Sequence, residues 1–357
     1  MKFFKIVSLI FLVLCLVLTL QVTTVFAGNL ELEKVKLKLN WIPGGDHSFY
    51  FVAKELGYYQ DNGLDVTIER GQGSLDTVSK VSIGTVEIGL ADTPTVIIAR
   101  SKGAKVKIVA MIYSNSPNGI KTRPDAGIKE PKDLEDHTVG VPAGDAQRIL
   151  WPAFAKLNEI DVDKVTLVNV APGAKFQMLG AKKVDAVFDW VVGNVPYWET
   201  FGKDNLILIP WSNWGLNPYG NAIIVSEDTI KNNPEMISKF LDATLKAWQW
   251  SIKNPEEAVK ILEKDIPEVG FLDGLSRLVE DIYSLVDSES FRSHGLGYID
   301  HQRMQDSIDI IYEYFIKLES KIKAEEMFTI EFLPYYEMPS LENVITIEEA
   351  WEKYGRK

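Results

Sequence analysis

The chain has 357 residues, 46% of them hydrophobic and 25% charged, with 50 acidic against 38 basic side chains and a formal charge of −12. An acidic surplus of that size excludes electrostatic attraction to nucleic acid or to an anionic membrane, so neither is expected as a partner. The single cysteine, Cys15, excludes an internal disulfide.

The first element is a leader. Lys2 and Lys5 precede the apolar run from Ile6 to Leu20, and the polar Gln21, Thr23 and Thr24 lead into Val25-Phe26-Ala27. This is the pattern of a secretory signal peptide, residues 1–27, cleaved after Ala27. Its apolar run is shorter than the ~20 residues of a spanning helix. Lipidation at Cys15 is disfavoured because Leu14 is too large for the position before a lipidated cysteine. Cleavage removes two lysines and no acid, taking the formal charge from −12 to −14 and removing the cysteine. The remaining chain, secreted across an inner membrane to the periplasm or cell surface, is long enough for two lobes of ordinary size. No low-complexity linker divides it, so two lobes must be interwoven.

Strands are expected at Val35 to Trp41, Leu64 to Glu69, Val86 to Ala91, Lys107 to Tyr113, Thr138 to Val141, Val165 to Val170, Val184 to Asp189, Leu206 to Pro210 and Asn221 to Val225. Helical patterns fall between most of them, which predicts an α/β fold with largely parallel sheets. Asp46 is placed to cap a helix ending near Gly57, Ser74 one stopping at Gly84, and Thr93, followed by Pro94, one stopping at Gly103. Each helix starts just after a strand, at the sheet edge where ligands of parallel α/β folds bind. The stretches VTIERGQGSLDTVSKVSIGTVEIGLAD (66–92) and VTLVNVAPGAKFQMLGAKKVDAVFDW (165–190) share one order of strand, glycine turn, helix and strand. They are either two similar lobes or two ordinary βαβ units; both end in an acid, Asp92 in one and Asp189 in the other.

The motifs W-x-P-x-x-D-H, F-V-A-K-E-x-G-Y-Y-x-x-x-G-L-D-V, G-x-G-S, G-x-V-[ED]-I-G-x-A-D, D-L-E-x-H-T-V-G-V and N-P-Y-G-N-A-I-I-V make the chain similar to exported solute-binding proteins of ABC importers. Within them it resembles the branch of thiamine-pyrimidine-precursor binders, cousins of the sulfonate, taurine and nitrate binders, over most of residues 35–340. The resemblance implies a two-lobed periplasmic-binding-protein type II fold with the ligand cleft between the lobes. Lobe 1 would take residues 33–120 plus 222–340, with C-terminal helices to 357, and lobe 2 residues 121–221. The crossings would lie near Ser114 to Asn118 and Trp211 to Tyr219. Implied partners are a small-molecule ligand and the transmembrane subunits of an ABC permease, with the binding protein itself a monomer.

Trp41 is expected to present an indole face at the cleft, with Gly44 and Gly45 clearing the approach of a flat ligand. Asp46 and His47 have no further His or Cys at ligand spacing, so they are read as hydrogen-bonding groups, with no metal and no cofactor. Gly73-Ser74, Asp92-Thr93 and Gly144-Asp145 put backbone amides at helix starts, which suits an anion or an acceptor-rich ligand. Asp46, Asp92, Asp145 and Asp189 argue against a bare anion unless Arg123 or Arg148 compensates, and suit an amino-substituted heterocycle. Asn115 in the first crossing, Trp190 and Tyr219 as rings, and Asn221 as a neutral donor and acceptor complete the candidates; Tyr197, Trp214 and Asn194 stand nearby. An enzyme is the rival class, because the resemblance implies a fold that the eukaryotic pyrimidine synthases also have. Their pyridoxal-binding lysine falls in the V-E-I-G-L-A-D strand, where this chain has Ala91 and Asp92, and their histidine matches Thr95. No enzymatic activity is therefore expected. An extracytoplasmic sensor module is a third reading, and it lacks an attached signalling domain.

Overall fold

Ten strands among the described residues form two five-stranded sheets, each with its own set of covering helices. The computed structural model describes residues 31–171, 173–316 and 321–355, so the expected signal peptide lies outside them. The strands are β1 (Glu33–Lys38), β2 (Leu64–Glu69), β3 (Ile88–Asp92), β4 (Val106–Met111), β5 (Asn118–Thr122), β6 (Thr138–Val141), β7 (Thr166–Asn169), β8 (Ala186–Trp190), β9 (Ile207–Pro210) and β10 (Asn221–Ser226). The first sheet runs β2-β1-β3-β10-β4 and the second β7-β6-β8-β5-β9. The chain crosses from the first sheet to the second between Met111 and Asn118 and returns between Pro210 and Asn221.

The two sheets share one plan. Each has a βαβ unit, β2 to β3 or β7 to β8, whose strands occupy the first and third places, and each receives in its fourth place a strand contributed across a crossing. That plan accounts for the sequence likeness between 66–92 and 165–190.

The sheets are mixed, which corrects the expectation of largely parallel ones. β1 with β3, and β6 with β7 and β8, are parallel. The crossing strands enter from the opposite end, so β10 runs antiparallel to β3 and β4, and β5 antiparallel to β8 and β9. β5 is also the strand that periodicity did not mark. Its sequence NGIKT opens on turn formers and carries a lysine, yet all five residues are buried. Lys121 satisfies burial by donating to the carbonyls of Val192 at 2.8 Å and Gly193 at 3.3 Å, the pairing a buried ammonium requires.

The aromatic cluster after His47 is mostly core. Phe49, Tyr50 and Tyr59 are buried beneath the long helix Pro234–Lys253, with Trp248 stacked 5.4 Å from Phe49 and the Tyr59 hydroxyl 3.0 Å from that of Thr244. The helix starts differ by a residue or two from expectation. Asp46 lies inside a 3₁₀ turn, Gly45–His47, ahead of helix Ser48–Glu55. Gly73, at φ 114°, precedes helix Ser74–Ser82, and Asp92 rather than Thr93 caps helix Thr93–Ser101. No helix of the described residues is long and apolar enough to cross a membrane.

Candidate ligand-binding cleft

The carboxyl ends of the parallel strands and the amino ends of the two crossing strands converge on one cavity. Asn40, Trp41 and Ile42 follow β1; Asp92 ends β3 and Trp190 ends β8; Gly144, Asp145 and Ala146 follow β6; Asn118 and Asn221 open β5 and β10. Register makes the two crossings equivalent. Asn221 sits opposite Asp92 across the β3–β10 pair, and Asn118 sits opposite Trp190 across the β5–β8 pair. Each sheet thus offers an asparagine to the cleft from the first residue of the strand contributed across the crossing.

Eleven of the expected residues line the cavity: Trp41, Asp46, Gly73, Ser74, Asp92, Gly144, Asp145, Asp189, Trp190, Tyr219 and Asn221. Three do not. His47 is buried behind the wall, where Nδ1 lies 3.2 Å from the Gly44 amide and 3.1 Å from Asp46 Oδ2, and Nε2 is hydrogen-bonded to Asn40 Oδ1 at 3.0 Å. Its role is to orient Asn40. Thr93 donates both its amide and its hydroxyl to the Gly220 carbonyl, at 3.0 and 2.7 Å. Asn115 turns outward to the Ser284 carbonyl and Arg303. Gly44 and Gly45 also lie off the cavity: a Cβ on Gly45 would stand 1.8 Å from the Gly274 carbonyl oxygen, so that glycine admits a helix backbone rather than a ligand. Arg123 and Arg148, the expected compensating cations, lie off the cavity: Arg123 is buried against the Val184 carbonyl, and Arg148, half-buried, binds the carbonyls of Val141 and Pro142.

Asp92 divides its two oxygens between scaffold and cleft. Oδ1 accepts from the Thr95 amide and hydroxyl, both at 3.0 Å, capping the helix. Oδ2 is buried and has no partner among the described residues, and neither do the two side-chain polar atoms of Asn221, which is wholly buried. Burial raises the Asp92 carboxyl above its ordinary range, although Ser74 and Thr95 act against the shift. Buried groups are normally paired, and each orphan costs the fold about 1–3 kcal/mol. Three orphan atoms on directly paired residues form an edge offering acceptor, donor and acceptor.

The opposite wall is already balanced. Lys175, from helix Lys175–Gly180, holds Asp145 Oδ2 at 2.9 Å and Asp189 Oδ1 at 3.1 Å. Asp189 also accepts from the Tyr197 hydroxyl, with Lys121 3.9 Å away. Burial opposes ionisation of Asp189, but Lys175 and Lys121 outweigh it and hold the carboxyl well below its usual range. Burial lowers Lys121 to about 8 despite Asp189. Arg277, from helix Phe271–Asp281, reaches the cavity beside Asp46, with Nε 3.8 Å from Oδ1. Next to it, Glu280 accepts from the Gly193 and Asn194 amides and from Asn194 Nδ2 at 2.8 Å, so this helix is hydrogen-bonded to the loop after β8 of the second sheet.

The amides expected to receive an anion are largely engaged within the protein. Gly73 N donates to the Asn40 carbonyl, Asp92 N to Ser74 Oγ, Thr93 N to the Gly220 carbonyl and Asp145 N to that of Pro142, and in the first turns beyond them Thr95 N and Gln147 N donate to Asp92 Oδ1 and Asp145 Oδ1. Four carboxylates line the cavity against two cations, Lys175 and Arg277.

A family profile described as NMT1/THI5 like matches residues 45–258. The chain belongs to this family. Among relatives, it is 30% identical over 277 residues to the formylaminopyrimidine-binding protein of Halalkalibacterium halodurans, covering 76% of this chain and 82% of that one. It is 24% identical over 311 residues to the riboflavin-binding protein RibY of Chloroflexus aurantiacus, covering 85% and 87%. Among solved structures, the alkanesulfonate-binding protein SsuA of Xanthomonas axonopodis pv. citri, bound to MOPS, superposes with a TM-score of 0.64 at 13% identity, covering 84% of this chain and 99% of that one. That likeness establishes the periplasmic-binding-protein fold. Within the NMT1/THI5-like fold, the match ends at residue 258, so helix Phe271–Asp281 with Arg277 and Glu280 lies beyond it. Sequence reading missed Arg277, Lys175, Asn40 and Asn118; the signal for Asn118 was its place at the first crossing, matching Asn221 at the second.

Proposed function

We propose that the protein is the extracytoplasmic solute-binding component of an ABC importer and that it captures a small amino-substituted aromatic heterocycle of the thiamine pyrimidine-precursor type. The observation that carries this reading is the orphan edge of Asp92 and Asn221 inside a cavity bordered by Trp41, Trp190 and Tyr219. A 4-aminopyrimidine presents an exocyclic amine, which donates, beside a ring nitrogen, which accepts. Asp92 Oδ2 and Asn221 Oδ1 accept from the amine, Asn221 Nδ2 donates to the ring nitrogen, and the rings supply stacking faces. The relatives' ligands, formylaminopyrimidine and riboflavin by name, are nitrogen heterocycles and support this class. Closure would place the ligand between the lobes for delivery to the permease.

The second reading is a small anion such as a sulfonate, taurine or nitrate, which Lys175 and Arg277 favour. Against it, Lys175 is engaged by two carboxylates and Arg277 stands beside Asp46. An enzymatic role has less support, because β3 carries Ala91, buried in the core, and Asp92 where the synthases resembled in sequence carry their lysine.

A thermal-shift and calorimetric screen of the mature protein tests the proposal. 4-Amino-5-hydroxymethyl-2-methylpyrimidine or its formylamino counterpart should raise the melting temperature, the stabilisation reaching about 2.7 kcal/mol at one hundred times Kd. Taurine and nitrate should leave it unchanged. The reverse pattern replaces this reading with the anion one.

A further inference from the structure

The two walls of the cleft have opposite hydrogen-bonding characters, and the difference rests on Lys175. Its ammonium has three donors. Two are directed at Asp145 Oδ2 and Asp189 Oδ1, no protein acceptor for a third is found among the described residues, and the side chain, nine-tenths buried, lines the cavity. Held from two sides by carboxylates that are themselves fixed, Asp145 as the cap on Gln147 N and Asp189 by the Tyr197 hydroxyl, the charge cannot swing away from an approaching ligand. The facing wall carries Asp92 with an unpartnered oxygen and no lysine.

We propose that Lys175 is a specificity-determining residue: among amino-heterocycles it selects those whose substituent ends in a hydrogen-bond acceptor, such as a formyl or hydroxyl oxygen, and rejects those ending in an ammonium. This rests on the ligand class proposed above and adds what the far end of the ligand must carry. A ligand spanning the cleft needs donors at the Asp92–Asn221 end and an acceptor at the Lys175 end. A terminal ammonium would meet a like charge in a desolvated space and would find Asp145 and Asp189 already occupied.

The test compares two probes sharing one ring, 4-amino-5-(formylaminomethyl)-2-methylpyrimidine and 4-amino-5-(aminomethyl)-2-methylpyrimidine, by calorimetry on the mature protein at neutral pH, where the second is cationic. The wild type should prefer the formyl compound at least about ten-fold. Lys175→Met leaves two carboxylates facing the cleft and should erase or invert that preference. Asp145→Asn, which can still cap Gln147 N, should widen it, because Lys175 loses a neutralising partner. Circular dichroism confirms folding of each variant, and Asp145→Asn carries the test if Lys175→Met fails to fold. Equal affinities in the wild type, or a ratio that neither variant moves, overturns the role of Lys175 while leaving the ligand class standing. Binding of neither probe to the wild type overturns the ligand class and this inference together.

Discussion

Asp92→Asn separates the scaffold role of this residue from its role in the cleft, because the two roles use different oxygens. The capping oxygen, 3.0 Å from the Thr95 amide and hydroxyl, survives in asparagine, itself a good cap. The unpartnered Oδ2 becomes an NH₂ group, so a ligand amine that would donate to it meets another donor. Leaving that buried donor unpaired costs about 1–3 kcal/mol, or roughly five- to a hundred-fold in Kd. The free protein should respond in the opposite direction. Burial raises the Asp92 pKa, so the fold holds a proton there more tightly than the unfolded chain, and its contribution to stability falls as pH rises from 3.8 through the raised value. Above that window the carboxylate is a cost that asparagine removes, and the ligand-free variant should melt higher at neutral pH. Titration calorimetry with the formylamino or hydroxymethyl aminopyrimidine, paired with melting curves without ligand, reads both signs. Unchanged affinity would reduce Asp92 to a helix cap, and tighter binding would point to an anionic ligand relieved of repulsion. A lower melting temperature together with weaker binding would mean that the substitution damages the scaffold and that the division of oxygens is wrong.

Glu280→Ala should accelerate ligand dissociation about five- to thirty-fold, since it removes a carboxylate that receives two amides and a side-chain amide from the second lobe, a charge-assisted set worth about 1–2 kcal/mol after desolvation. Glu280→Gln should recover part of the effect, and a dissociation rate by stopped-flow that neither substitution changes would show that these bonds do not hold the cleft closed. Lys121→Met isolates the buried ammonium of β5. The fold releases this proton near pH 8, whereas the unfolded chain keeps it to about 10.5, so the unfolded state binds more protons between those values and the group's contribution to stability rises with pH across that window. Wild type should therefore gain on the methionine variant by up to about 3 kcal/mol between pH 8 and 10.5 in urea unfolding, and a pH-independent difference would place the Lys121 pKa near its ordinary value.

Strand ends were readable because they terminate a hydrophobic run: Asp92, which also caps the following helix, and Asp189 and Trp190, which close β8, all reach the cavity. β5 was hidden because its lysine breaks the apolar pattern, and only tertiary acceptors, the Val192 and Gly193 carbonyls, make that lysine compatible with burial. Arg277 was hidden for a related reason. Asp273, Arg277 and Asp281 follow one another at four-residue spacing, the signature of an exposed ion-pair ladder. In the fold this face turns inward, with Asp281 buried against the Tyr113 hydroxyl and Arg277 beside Asp46, more than two hundred residues away in sequence. Gly44 and Gly45 misled in the other direction. Paired glycines beside a tryptophan suggest room for a ligand, but the same helix takes the room, its Gly274 backbone against Gly45 and its Arg277 side chain, with Asp46, against Gly44. Local pattern registers what a segment can become, and it does not register which distant segment arrives to satisfy it.

The fold is shared with a sulfonate binder, so ligand class must be written in side chains, and the helix starts show how. A helix N-terminus is a ready anion site while its amides are free. In each lobe a capping aspartate removes that option: Asp92 Oδ1 takes Thr95 N in the first, and Asp145 Oδ1 takes Gln147 N in the second. Both caps leave their other oxygen toward the cleft, so both lobes begin as acceptor surfaces. Lys175 then occupies the second lobe's oxygen, along with one of Asp189, and no group among the described residues occupies the first lobe's. A symmetric pair of acidic helix caps becomes an asymmetric site through one lysine. The ligand best matched to that asymmetry is neutral, aromatic, donating at one end and accepting at the other.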